Sequence, residues 1–111
     1  MSSDVVALYR SDLRFERSIT LEGDSEEDSV FVESFLAPGS PIAADLPPHL
    51  SSGEWLPIAV DDFGNYYVAQ MSDSEEGETP IYSCDHEQGF EPIATMLTVQ
   101  RLMDLPIRRG R

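Results

Sequence analysis

Lysine is absent from this chain. All seven basic side chains are arginines; they face 21 acidic residues, and the net charge is −14. A field of that sign repels nucleic acid and anionic membranes and attracts basic protein surfaces, so direct binding to nucleic acid or membrane is not expected. Cysteine occurs once, at Cys84, which excludes an internal disulfide. Apolar runs are short, and none approaches the roughly 20 residues of a membrane-spanning helix. The first ten residues, MSSDVVALYR, lack the basic-then-apolar pattern of a secretion signal, and the expectation is a soluble, cytoplasmic protein. Histidine occurs only at His49 and His86, too few with one cysteine for an ordinary zinc set. P-loop, Rossmann glycine, HExxH and GxSxG patterns are missing, as is a nucleophile–base pair, and no enzymatic activity and no cofactor are expected.

What remains is enough for one folded domain over residues 1–111. Apolar residues make up 41% of the chain and ten side chains are aromatic. Residues 1–14 are ambiguous, a strand or a helical turn around Val5 and Leu8. FERSITL (15–21) alternates, with Phe15, Arg17, Ile19 and Leu21 on one face, and predicts a half-exposed strand. SVFVESFLA (29–37) is apolar on both faces and predicts an interior strand. Residues 38–54 hold four prolines and two glycines and predict a crossover, with a helical turn at 43–46.

WLPIAVDD (55–62) and NYYVAQM (65–71) predict two strands joined by a tight reversal at Asp62-Phe63-Gly64-Asn65, residues that tolerate positive φ. IYSCDHE (81–87) extends the meander. In PIATMLTVQRLMDL (92–105), Ile93, Met96, Leu97, Val99, Leu102 and Met103 fall at roughly helical spacing. A single terminal helix is expected, capped by Thr95 or Thr98 and stopped by Pro106. The fold class that follows is α+β: an antiparallel meander with a C-terminal helix packed on one face.

The string DSEE occurs twice, at 24–27 within GDSEED and at 73–76 within SDSEEGE. Both copies fall between predicted strands. A solvated turn and a surface for a cationic partner both fit. Neither run has the ligand register of a calcium hand, and Ser25 and Ser74 match acidophilic kinase sites only loosely. The candidate partner-binding residues are Asp24, Glu26, Glu27, Asp28, Asp61, Asp62, Asp73, Glu75, Glu76 and Glu78. Asp61 and Asp62 also suit a turn. Cys84, Asp85, His86 and Glu87 are adjacent. On a strand Cys84 and His86 would share one side with Asp85 on the other, and a structural role is expected over a metal or catalytic one.

Taken together, LPIAVDDFGNYYVAQM, IYSCDHE and PIATMLTVQRLMDL resemble the SUKH superfamily. The matching positions are Leu56, Pro57, Ile58, Ala59, Gly64, Asn65, Tyr82, Asp85, His86, Glu87, Ile93 and Ala94. The resemblance covers about half the chain, residues 55–105. Members of that family begin with one or two helices, which here look shortened or absent. Where the family has an aromatic before Asp-His, this chain has Ser83 and Cys84. The resemblance implies a naked sheet face that a homodimer or a partner would cover. It also implies a binding protein, most often an immunity protein that neutralises a basic toxin such as a nuclease by occlusion. A phage or mobile-element inhibitor that mimics nucleic acid against a host nuclease is the alternative. A third reading, solubility in a salt-rich cytoplasm, predicts evenly spread acids.

Overall fold

A computed structural model describes residues 3–23, 29–36, 50, 55–71 and 78–109. The predicted crossover with its helical turn at 43–46, apart from Leu50, and both DSEE strings lie outside the described residues.

The chain opens with helix α1, Ser3–Arg10. Val5, Leu8 and Tyr9 sit at helical spacing on one face; Val5 and Leu8 are buried and Tyr9 packs against them. Asp4 in the first turn and Arg10 in the last both suit the helix dipole. A short 3-10 turn, Asp12–Phe15, leads to strand β1, Arg17–Leu21. The strand is shorter than the alternation predicts, because Phe15 belongs to the turn and is exposed. β2 is Val30–Phe35, β3 Trp55–Val60, β4 Tyr66–Gln70 and β5 Pro80–Cys84. β6, Pro92–Thr98, runs directly into helix α2, Val99–Asp104, and β7, Ile107–Arg108, follows.

The seven strands form one sheet in the order β6-β5-β4-β3-β2-β1-β7, with every neighbouring pair antiparallel. β2 is interior, as its two apolar faces predict. The sheet is curled, and connectivity requires this. Six flat inter-strand steps would separate β6 from β7 by roughly 29 Å. The chain from Thr98 to Ile107, mostly helix, reaches only about 19 Å.

Residues 92–98 are a correction to the single terminal helix. Ile93, Thr95 and Thr98 are β-branched, and this segment gives β5 its second neighbour. The positions that mimic a helical stripe are not all buried: Ile93 and Met96 face solvent. Of the two threonines expected as caps, Thr98 fills the role, its Oγ1 accepting from the Arg101 N–H at 3.2 Å. Thr95 instead donates its hydroxyl across the sheet to the Ile81 carbonyl, at 2.7 Å.

N-terminal cover, expected to be shortened or absent, is present as one eight-residue helix. Val5 and Leu8 of α1 and Val99 and Leu102 of α2 share one core with Ile19, Leu21, Val32, Ile58 and Ile81 of the sheet. Asp4 locks α1 in place. Its carboxylate accepts from the Thr79 N–H at 2.7 Å and the Thr79 hydroxyl at 2.8 Å, and both residues are buried. On the other side of the sheet, Leu50, Val68 and Cys84 form a second core under Trp55, Tyr66, Tyr82 and Phe90. Trp55 meets Tyr82 edge-on, with centroids 5.1 Å apart. Among the described residues no helix is long and apolar enough to cross a membrane.

Candidate partner-binding surface

The β3–β4 turn is organised by Asp61. Its Oδ1 accepts from the N–H groups of Phe63 (2.8 Å) and Asn65 (2.9 Å), while its Oδ2 accepts from Asn65 Nδ2 (3.0 Å). The backbone closes the loop with Asp61 N–H donating to the Asn65 carbonyl at 3.0 Å. Of the four residues expected to tolerate positive φ, only Gly64 takes it, at 87°. Asp61 is thus committed to the turn, and the exposed Asp62 is the carboxylate at its tip. Beside it Phe63 is 71% exposed.

Asn65 ties this turn to the next. Its Nδ2 faces the Asp61 carboxylate, which fixes the amide orientation, because a carboxylate only accepts. Its Oδ1 then accepts from the His86 backbone N–H at 3.0 Å and from His86 Nδ1 at 2.7 Å. The β5–β6 connection is a 3-10 turn, His86–Gln88, capped by Asp85, whose side chain accepts from the Glu87 N–H at 2.8 Å. Strand β5 ends at Cys84, so Cys84 and His86 do not share a strand face: Cys84 is buried and His86 exposed. Burial, with the Glu91 charge adding to it, pushes the Cys84 thiol up to about 11. The Tyr67 hydroxyl is raised too, by burial first and then by the Asp61 charge. Among the described residues no group of three or more His, Cys, Asp or Glu could hold a metal ion.

Topology decides which carboxylates can act together. Strands β1 to β6 alternate in direction. The end of β1, the β3–β4 turn and the β5–β6 turn therefore lie at one end of the sheet. The end of β4 and the start of β5 lie at the other. The first end carries Glu22, Asp62, Asp85, Glu87 and Glu91, with Asp61 beneath them and Phe63 at the tip. Glu78, exposed just before β5, belongs to the opposite end. The remaining candidates, Asp24, Glu26, Glu27, Asp28, Asp73, Glu75 and Glu76, lie outside the described residues. The described residues that flank the two DSEE runs, Gly23 and Ser29 for one and Met71 and Glu78 for the other, are at opposite ends.

Sequence reasoning missed Phe63 as an exposed anchor. The signal was available: an aromatic in the middle of a two-strand reversal has no neighbour to bury it. Trp55, Tyr66, Tyr67 and Tyr82, by contrast, are half-buried. Comparison of the chain with protein-family models, with curated proteins and with solved structures finds no match.

Proposed function

We propose that this chain is an acidic, SUKH-like binding protein acting in the cytoplasm, an immunity protein that neutralises a basic toxin, a nuclease, by occlusion. The observation that carries the reading is the carboxylate-rich end of the sheet, where Asp62, Asp85, Glu87 and Glu91 lie on the two linked turns that also carry the exposed ring of Phe63. An exposed aromatic on a surface rich in charge of one sign suits protein binding: the aromatic supplies desolvated contact and the charges supply steering. Both turns are held internally, through Asp61, Asn65 and Asp85, so little order has to be gained on binding.

The test is affinity capture from lysate of the source cell and from neighbouring gene products, at low and high salt. The wild type is run beside a variant carrying Asp62→Asn, Phe63→Ala, Glu87→Gln and Glu91→Gln. A basic polypeptide retained at low salt by the wild type and lost by the variant is the expected result. A partner indifferent to both salt and variant would overturn the reading.

A further inference from the structure

The sheet has two unlike edges. β7 is two residues long, and Arg108 and the adjacent Arg109 pair with Glu22 and Glu16. Short, charged edges resist the addition of another strand. β6 is seven residues long and uncharged from Pro92 to Thr98. Its only strand partner among the described residues is β5. Ile93 is 52% exposed and Met96 84%.

The curl of the sheet leaves a half-open cleft of about 510 Å3 beside β6, with Met96 and Leu97 on one wall and Glu22 and Gly23 on the other. Arg101 and Asp104 of α2 also line it. A smaller hollow of about 280 Å3 shares Thr95 and Leu97 and continues toward Tyr67 and Ser83. Met96 has a φ of 68°, and Arg101 Nη1 donates to its carbonyl at 3.4 Å. That kink ends the regular edge and bounds any added ladder to residues 93–95.

We propose that this edge takes an extended, cationic segment of the partner. Its backbone pairs with residues 93–95, and its basic side chains meet Glu91 and Asp104. The inference rests on the reading above that the partner is basic. Charge selects the occupant. A second copy of this chain would bring another −14 to the same place, and edge-to-edge pairing would set acidic surfaces against each other. A basic strand gains from the same field. Arg108 of β7 and the adjacent Arg109 direct it away from the other edge.

The full chain, labelled with nitrogen-15, is titrated with an octapeptide of alternating lysine and valine and, separately, with its glutamate–valine counterpart. Binding of the lysine peptide, with slowed amide exchange at residues 93–95, is expected. The double variant Ile93→Lys, Met96→Lys alters exposed positions and should weaken that binding at least tenfold. Shifts confined to the β3–β4 turn would overturn this inference and leave the basic-partner reading standing. Absence of lysine-peptide binding anywhere, or equal binding of the glutamate peptide, would overturn both. A concentration-dependent dimer abolished by the double variant would assign the edge to a second copy and overturn the proposal.

Discussion

Cys84 is the residue whose chemistry the fold changes most. Solvent does not reach it, and its thiol is pushed up to about 11 by burial, with Glu91 adding to the effect. An unfolded chain ionises this thiol from about pH 8.5 upward. Above that pH the unfolded state holds fewer protons than the native state, so stability falls as pH rises through the window between the two values. The slope is about 1.4 kcal/mol per pH unit while only the unfolded form ionises. Tyr9, raised to about 12 by burial, adds a loss of the same sign starting near pH 10. Urea midpoints measured at pH 7, 9 and 10 should therefore fall across the alkaline steps, and Cys84→Ala should lose less between pH 9 and 10 than the wild type. Equal losses would mean that the thiol is not held in its neutral form. The same scale shows how far local chemistry could be read. The Asp–Phe–Gly–Asn reversal was legible because a tight turn demands a residue at positive φ, and Gly64 provides it. The division of labour between Asp61 and Asp62 was not. Both are carboxylates next to a turn, and only the path of the backbone decides which one the N–H groups of Phe63 and Asn65 point toward.

At the scale of elements, the strands were legible and the helices less so. Alternation over 15–21 is a local signal with a period of two, and the tolerant reversal at 62–65 is local as well. The segment 92–105 carries apolar residues that satisfy a helical and an extended pattern alike. The choice for strand up to Thr98 comes from β5, whose outer side β6 covers. Helix α1 is only eight residues long, marginal in isolation, and stands because the core and Asp4 hold it. The Asp4–Thr79 tether joins residues 75 positions apart. Asp4→Ala removes the acceptor of a buried N–H and a buried hydroxyl, and should cost about 2–4 kcal/mol in urea unfolding. A loss below about 1 kcal/mol would show that the carboxylate contributes little beyond its own desolvation.

For the whole molecule the dominant quantity is the net charge of −14. Self-repulsion opposes compaction and is screened as the Debye length shrinks from about 30 Å at 0.01 M salt to about 10 Å at 0.1 M. Thermal midpoints should rise with sodium chloride across that range, by roughly 2–8 °C if screening recovers about 1 kcal/mol. Asp62→Asn with Glu87→Gln and Glu91→Gln should reproduce part of the gain at low salt. A midpoint that falls with salt would mean that the pairs Arg108–Glu22 and Arg109–Glu16 outweigh the repulsion.

Composition and short-range pattern by themselves determined the sign of the field, the strand segments through β5, the β3–β4 reversal and the α+β class. Each depends on residues only a few positions apart. Tertiary structure alone decided which carboxylates share a surface. Both acidic runs look equivalent in the chain, yet the alternation of strand direction sends their flanks to opposite ends of the sheet. It groups Asp62, Asp85, Glu87 and Glu91 instead, residues from two separate turns. The curl, required by the short path from β6 to β7, likewise sets one uncharged edge, with no outer strand among the described residues, beside a cleft. Proximity of that kind is a property of the strand order and the closure of the sheet, and no local period encodes it.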